Sequence, residues 1–355
     1  MVVDSSALPE QVVTDALQSA FDSAGQHCSA LRLLCVQDDV ADRVLPMLRG
    51  AMRELSVNKP DRLDTDVGPV IDEAARQSIE DHVVGMHAAG FAVERLQLPE
   101  SCSQGTFVAP TLIEIDHPSR LQREVFGPVL HVLRYRREGL DALIDGINAA
   151  GYGLTFGLHT RIDETISKVL SRVRAGNVYV NRNVVGAVVG VQPFGGEGLS
   201  GTGPKAGGPL YLHRLVKRVA KPGTQAVLHV GEEKVLPGPT GERNVYTLSP
   251  RGVVLCVAAT EAGAQALSHV VRASGNEELW LDHEDALDQA SFDAVLFEVP
   301  PEALKTLHRR VAARNGPIIP VQALTGHAPE PLMIERSLSI NTAAAGGNAT
   351  LMAMG

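Results

Sequence analysis

The chain has 355 residues, enough for roughly two or three domains with sizeable cores. Its composition is 44% hydrophobic and 21% charged, with 34 glycines and 21 prolines, which excludes disordered, collagen-like and disulfide-dense proteins. A formal charge of -9 and an aromatic content of 4% argue against a nucleic-acid partner, because phosphate binding needs a basic face and bases stack on aromatic rings.

The chain ends and the cysteines point to a cytoplasmic protein. The start, MVVDSSALPEQ, lacks the basic and apolar regions of a signal peptide, and no run of about 18 apolar residues predicts a membrane segment. The four cysteines show no CxxC spacing, so we expect free thiols in a reducing compartment and no metal site. We interpret the cationic stretch LHRLVKRVAK (212–221) as a solvated face.

The first 55 residues predict a helix, a strand and a second helix. PEQVVTDALQSAFDSA (9–24) has apolar residues at helical spacing, with a proline suited to a first turn and Gly25 to end it. LRLLCVQ (31–37) is typical of a buried strand, and DDVADRVLPMLRGAMREL (38–55) of a helix with acidic residues in its first turn. Cys28 therefore lies at a helix-to-strand junction.

Strands and helices alternate from about residue 127. Short connections between them predict an α/β fold with a parallel sheet covered by helices on both faces. The segments are GPVLHVLRY (strand), EGLDALIDGINAA (helix), LTFGLHT (strand), DETISKVLSRVRAG (helix) and NVYVN (strand).

A glycine- and proline-rich stretch at 221–241 predicts a linker between a first domain, 1–220, and a second domain, 242–355. The second domain holds four strand candidates with helical patterns between them, so we expect another α/β unit: GVVLCVA, ELWLDH, AVLFEVP and GPIIPVQAL. The end, NTAAAGGNATLMAMG, is small and uncharged. We expect it to be disordered or pinned in a groove.

Cys28, in GQHCSALRLLCVQ, is the residue with the best claim to chemistry. A thiol attacks only as thiolate, which nearby positive charge or N–H donors favour, and His27 and Arg32 are close in sequence. From the residues alone two interpretations stay open, a nucleophile or the small buried hydrophobe that most free cysteines are. A cysteine hydrolase would need a distant histidine, because adjacent side chains do not face each other. Cys35, inside the apolar strand, is expected to be inert.

The loop GGEGLSGTGPKAGG contains GEGLSG (196–201), which satisfies the pattern GxGxxG. A dinucleotide-binding fingerprint must also follow a strand, open a helix and precede an acidic residue by about 20 positions. Here TGPKAGGP follows, and no acidic residue occurs from 198 to 231. We therefore expect a structural or substrate-lining loop.

Three motifs resemble those of the aldehyde dehydrogenase superfamily and occur in its order. They are GQHCSALRLLCVQ, the catalytic-cysteine motif; EVFGPV (124–129), the cofactor-ribose motif; and QPFGGEGLSGTGPKAGGP, the closing glycine-rich loop. VNRNVVGAVVGVQPFGGEGLSGTGPKAGGPLYL resembles the glutamate-γ-semialdehyde (pyrroline-5-carboxylate) dehydrogenase module of the bacterial proline utilization A family. ERSLSINTAAAGGNATLMAMG resembles the C-terminal motif of its long forms.

The resemblance implies an NAD-dependent enzyme that oxidises glutamate γ-semialdehyde to glutamate in proline catabolism. The segment 1–220 would be the catalytic domain, and 242–355 a Rossmann-like accessory domain. Cys28 would attack the aldehyde, giving a thiohemiacetal and then a thioester, with its own N–H helping to hold the oxyanion. Glu124 would bind the nicotinamide ribose hydroxyls of NAD, with Phe126 beside it.

The family also implies residues for the far end of the substrate, which carries a carboxylate. Ser29 and the backbone of Gly186 and Ala187 match the carboxylate anchor, and a glycine nest suits an anion. Phe194 would lie against the aliphatic stem. Without the resemblance, each of these residues has an ordinary structural explanation as a turn, bend or core residue.

The resemblance begins at Met1, just after the point where the family has its general-base glutamate. We therefore expect a chain truncated at its N-terminus, without the dinucleotide-binding and proline dehydrogenase domains, and impaired when isolated. It would form a homo-oligomer or associate with a separately encoded N-terminal part. The alternative is a non-catalytic assembly or channel-covering module.

Overall fold

The computed structural model describes residues 1–201, 203–215, 230–281, 283–324 and 332–343. Within these ranges the α-helices are α1 (Pro9–Phe21), α2 (Asp38–Arg53), α3 (Glu73–Ala88), α4 (Leu140–Ala149), α5 (Asp163–Arg172), α6 (Glu261–Ala273) and α7 (Pro301–Ala312). None of these helices has the length and apolar character to cross a membrane.

The strands of the same ranges are β1 (Val2–Val3), β2 (Leu33–Gln37), β3 (Val93–Arg95), β4 (Thr111–Ile115), β5 (Val129–Tyr135), β6 (Tyr152–Gly153), β7 (Thr155–His159), β8 (Asn177–Val180), β9 (Glu197–Gly198), β10 (Glu233–Leu236), β11 (Glu242–Pro250), β12 (Val253–Ala258), β13 (Glu277–Leu279), β14 (Ala294–Glu298), β15 (Val321–Ala323) and β16 (Met333–Asn341).

Ten of the described strands form one large sheet in the order β10-β11-β16-β8-β7-β1-β2-β5-β4-β3. The neighbours from β16 to β4 pair in parallel, whereas both edges of the sheet are antiparallel. The parallel strands β2 and β5 are adjacent, so the loops that enter them meet at one edge of the sheet. These two loops carry the predicted thiol and ribose motifs.

Burial on both faces explains the continuous apolar runs of the central strands. All of LLCVQ in β2 except its first residue is buried, and in β5 only Arg134 is exposed. Helix α1 begins at a proline and buries Val12, Ala16 and Ala20 against this sheet. The packing fixes the end of α1, from which the chain turns towards Cys28.

A smaller sheet follows in the second half of the chain. Its described strands pair in parallel in the order β13-β12-β14-β15. Leu267 and Val271 of α6 pack in one apolar cluster and Val311 of α7 in another, so the sheet is covered on both faces. The predicted α/β class with a parallel sheet is confirmed, and the four strand candidates of this half all contain strands.

Two features differ from the sequence-based expectation. Strand β10 lies inside the stretch 221–241 that was predicted to be a linker, and its exposed, mixed side chains gave no recognisable period. Strands β11 and β16, from the predicted accessory domain, join the large sheet, and β16 pairs directly with β8. The domain limits stay a prediction. Residues 216–229 and 344–355, which hold most of the cationic stretch and of the C-terminal tail, lie outside the described residues.

Candidate active site

The chain reaches Cys28 through a left-handed turn between α1 and β2. Ser23, Ala24 and Gly25 have φ values of 54°, 55° and 65°. A non-glycine residue in this region costs about 1–3 kcal/mol, and such strain concentrates at functional sites. A Cβ on Gly25 would lie 2.2 Å from the carbonyl oxygen of Gly127, so only glycine lets the thiol turn touch the loop that enters β5.

Cys28 is exposed, whereas the chain's other cysteines, Cys35, Cys102 and Cys256, are buried, and all four are free thiols as predicted. Burial raises the pKa of Cys35 to about 11 and that of Cys256 to about 12, which suppresses their thiolate forms. Cys28 is therefore the thiol that a solute can reach. Among the described residues no histidine is hydrogen-bonded to it, as a cysteine hydrolase would require.

The loop that enters β5 brings Glu124 and Phe126 to the thiol turn. Arg32 donates to Glu124 Oε1 and to the carbonyl oxygen of His27, with N–O distances of 3.2 Å in both cases. Within the part of the chain that the structure describes, Glu124 Oε2 has no partner, and 38% of this side chain is exposed. Phe126 is 45% exposed beside it. An open carboxylate oxygen next to an exposed ring fits a ribose diol, so these two residues suit the predicted cofactor site.

Ser19, at the end of α1, connects the thiol turn to the predicted substrate loop. Its carbonyl oxygen accepts the N–H of Leu31 at 2.8 Å, and its hydroxyl accepts the N–H of Val184 at 3.1 Å. Ser19 is buried, so both bonds are shielded from water. The segment that follows Val184 contains Gly186 and Ala187. One residue thus fixes both segments to the same helix, the first through its backbone and the second through its side chain.

Four donors in the thiol turn and the predicted substrate loop are unpaired. The N–H groups of Cys28, Gly186 and Ala187, and the Ser29 hydroxyl, have no acceptor within the described residues. Gly186 is exposed with φ of 75°, which suits the left-handed bend of an anion-binding nest. Ser29 is buried, with 7% of its surface exposed. These four groups can receive a carboxylate or an oxyanion.

Phe194 lies on the return of this loop and is partly buried. Its backbone pairs with Ala206, with N–O distances of 3.0 and 2.8 Å. Asn177, at the start of β8, donates to the carbonyl oxygen of Pro193 at 2.9 Å and accepts the N–H of Gly195 at 3.1 Å. Both neighbours of Phe194 are therefore held by one buried amide.

The GxGxxG segment forms the two-residue strand β9, which pairs with β6. The described residues after it, 203–210, contain no helix. A dinucleotide-binding fingerprint would open a helix here, so the interpretation as a structural or substrate-lining loop stays our prediction.

Lys205, in the same glycine-rich loop, is only 2% exposed. Its ammonium donates to Asn177 Oδ1 at 2.8 Å and to the carbonyl oxygen of Gly195, and its N–H donates to Glu335 Oε2 at 2.7 Å. Burial lowers the pKa of Lys205 to about 7, with Glu335 and Glu197 opposing the shift. Tyr246 donates to the other oxygen of Glu335 at 2.7 Å.

The residues that join the motifs were missed by the sequence analysis. Ser19, Asn177 and Glu335 lie in ordinary helix and strand segments, and their roles depend on contacts across 12 to 165 sequence positions. The sequence PKAGG gave no signal that Lys205 is buried either, since a lysine in a glycine-rich loop is ordinarily exposed. Within the described residues, no group of three or more potential metal ligands occurs.

Comparison with known proteins agrees with this geometry. A bifunctional protein PutA of Escherichia coli strain K12 is 48% identical over 100% of this chain and 33% of its own length. A 1-pyrroline-5-carboxylate dehydrogenase of Bacillus mycoides strain KBAB4 is 36% identical over 60% of this chain and 41% of its own length. The chain spans about a third of the length of the PutA relatives that it matches.

Solved structures give the same result. A crystal structure of a bifunctional proline utilization A protein is 53% identical, with a TM-score of 0.57 over 60% of this chain and 22% of that one. The protein from Corynebacterium freiburgense, at 24% identity, shares the fold with a TM-score of 0.77 over 96% of this chain and 38% of its own. The sequence profile of the aldehyde dehydrogenase family matches residues 1–220, the stretch that holds the exposed thiol, the open carboxylate and the glycine-rich loop. The chain therefore belongs to the aldehyde dehydrogenase family.

Proposed function

We propose that the chain carries the thiol and the substrate loop of an NAD-dependent dehydrogenase that oxidises L-glutamate γ-semialdehyde to glutamate in proline catabolism. The observation that carries the proposal is the set of unpaired donors in the two segments that Ser19 joins, one of which carries the exposed thiol. Ser29, Gly186 and Ala187 supply donors for a carboxylate that stands a few bonds from the group under attack. The names of the PutA and 1-pyrroline-5-carboxylate dehydrogenase relatives support the same substrate.

The reaction begins at Cys28. Its thiolate sulfur forms a bond to the aldehyde carbon, and the electron pair of the C=O double bond moves to oxygen. The unpaired N–H of Cys28 is available to that oxyanion, which favours the transition state over the free aldehyde. The product of this step is a thiohemiacetal on sulfur.

NAD, when bound, supplies the acceptor for the hydride that leaves the thiohemiacetal carbon. Glu124 would hold the nicotinamide ribose hydroxyls, and Phe126 would lie beside the sugar. The chain retains the acyl group on Cys28 as a thioester. Water then attacks the thioester carbon, the C–S bond breaks, and glutamate leaves with the thiol restored.

The far end of the substrate sets specificity. The carboxylate accepts from Ser29 and from the N–H groups of Gly186 and Ala187, while Phe194 lies along the aliphatic stem. The buried amide of Asn177 fixes the turn on either side of Phe194. A simple aldehyde lacks the carboxylate and leaves these donors unpaired, which costs about 1–3 kcal/mol for each buried donor.

The first test uses thiol chemistry, which needs neither a bound cofactor nor a general base. Iodoacetamide should label Cys28 faster than Cys35, Cys102 and Cys256, followed by peptide mass spectrometry. Cys28→Ser should remove the fast label, and the matched variant Cys102→Ser should keep it. Four equally slow thiols contradict the proposal and favour the non-catalytic assembly module.

A second test addresses the substrate. Glutamate, the product, should protect Cys28 from iodoacetamide, and propanoate at the same concentration should not. Loss of one charge-assisted hydrogen bond in Ser29→Ala should weaken protection by about tenfold. Equal protection by both acids would mean that the loop does not recognise glutamate.

A further inference from the structure

Arg32 occupies the space between the thiol turn and the cofactor carboxylate. Its guanidinium donates to the carbonyl oxygens of His27 and Gly127, at 3.2 and 3.1 Å. It also donates to Glu124 Oε1 through Nε at 3.3 Å and through Nη2 at 3.2 Å, and it lies 5.0 Å from the centre of the Phe126 ring. One side chain, 15% exposed, thus contacts both motifs.

The charge of Arg32 acts on two anions. The bond to the carbonyl oxygen of His27 places the guanidinium one residue from Cys28. Burial lowers the pKa of Arg32, and Glu124 and then Cys28 oppose that shift. Arginine remains protonated in proteins, which makes this positive charge permanent. A cation beside a cysteine favours the thiolate form.

The other titratable or charged groups around the thiol turn contribute less positive charge at Cys28. Burial raises the pKa of Tyr179 to about 12, so its phenol stays neutral. Arg182 lies 5.2 Å from the centre of the Tyr179 ring and is paired with Glu242. His27 is exposed beside the thiol and interacts with Asp22.

We propose that Arg32 is a positioning residue that holds the thiol turn against the cofactor loop and shares its charge between Glu124 and the Cys28 thiolate. A ligand diol that engages Glu124 would draw this carboxylate away from Arg32 and leave more positive charge for the thiolate. Cofactor-ribose binding and thiol reactivity are then coupled through one guanidinium. The inference rests on the proposed function of Cys28.

The test is the pH profile of Cys28 alkylation by iodoacetamide, measured in the full chain without cofactor. Arg32→Met should shift the midpoint to higher pH and slow alkylation at neutral pH by about tenfold, the equivalent of one pH unit. Arg32→Lys should recover most of the rate, because it restores the charge. The control Arg43→Met removes an arginine from an exposed ion pair with Glu10 and should leave the profile unchanged.

Glu124→Gln provides an independent variant if Arg32→Met does not fold. Loss of the carboxylate charge should shift the midpoint to lower pH, and this shift should shrink in the double variant with Arg32→Met. A wild-type profile in Arg32→Met, or a Glu124→Gln shift that is the same with and without Arg32, overturns the inference. Fast alkylation of Cys28 that does not depend on Arg32 leaves the proposed function intact. Slow alkylation in the wild type overturns both the proposed function and the inference about Arg32.

Discussion

The two sides of the candidate site are held in opposite ways. On the thiol side, the partly exposed carboxylate of Glu124 pairs with the mostly buried guanidinium of Arg32, and the backbone of Gly25 touches Gly127. On the loop side, Asn177 and Lys205 are buried and bond to the backbone of the loop. Substitutions on the loop side should therefore cost stability first. Side-chain substitutions on the thiol side should change reactivity first.

The largest effect is expected for Asn177→Ala. The change leaves the carbonyl oxygen of Pro193, the N–H of Gly195 and the ammonium of Lys205 without their buried partner. At about 1–3 kcal/mol for each group, we expect a loss of about 4 kcal/mol or more in the free energy of unfolding, measured with urea.

Asn148→Ala is the matched control for this variant. Asn148 also bonds one backbone carbonyl and one backbone N–H, at 2.9 Å each, but nearer the surface. Its loss should cost about 1 kcal/mol. Equal costs for the two variants would show that the loop side is not a buried anchor.

The next effect is expected for Gly25→Ala, which tests whether the thiol side depends on backbone contact. An alanine at this position would have to adopt the left-handed φ of 65°, and its Cβ would lie 2.2 Å from the carbonyl oxygen of Gly127. We expect a loss of about 2–4 kcal/mol in unfolding free energy and slower alkylation of Cys28. Gly90→Ala has a φ of 89° and nothing within 4 Å, so it should cost only about 1 kcal/mol. Equal losses of unfolding free energy in Gly25→Ala and Gly90→Ala would show that the contact with Gly127 does not require glycine at position 25.

The smallest effect is the pH dependence of stability that Lys205 contributes. Its folded pKa is about 7 against an ordinary value of 10.5, so the unfolded chain binds more protons between these pH values. The contribution of Lys205 to the free energy of unfolding therefore rises with pH across that window, by about 1 kcal/mol between pH 7 and pH 8.

Urea unfolding at these two pH values, in the wild type and in Lys205→Met, measures the contribution. The variant should lose this part of the slope, while Glu197 and Glu335, whose pKa values are raised by burial, keep their own contributions. An unchanged slope would mean that the ammonium is not the group that titrates.

The sequence predicted the parts of the fold that depend on local pattern. The α/β class, the buried strand that contains Cys35 and the alternating segments after residue 127 were all confirmed. Burial on both faces produces apolar runs that can be recognised in a single sequence. Strand β10 was missed, since a short edge strand with exposed side chains has no such run.

The candidate site likewise combines residues in contiguous motifs, which could be predicted, with long-range contacts, which could not. Cys28 and Glu124 belong to contiguous motifs, whereas their connection through Arg32 joins positions 92 residues apart. The partnership of Lys205 with Glu335 spans 130 residues. Contacts of this kind depend on strand order, and strand order is not encoded in any short window. The roles of the site residues stay predictions that the alkylation and protection experiments address.

Strand β16 has a consequence for the order in which the protein is made. It pairs with β8 from Ser337 opposite Asn177 to Ile340 opposite Val180, and it carries Glu335 to the loop. Domains acquire structure from the N-terminus as the ribosome releases them, and long-range pairing of this kind is slow to form. The glycine-rich loop therefore acquires its Glu335 partner only after β16 has been synthesised, whereas the thiol turn precedes β16 by about 300 positions.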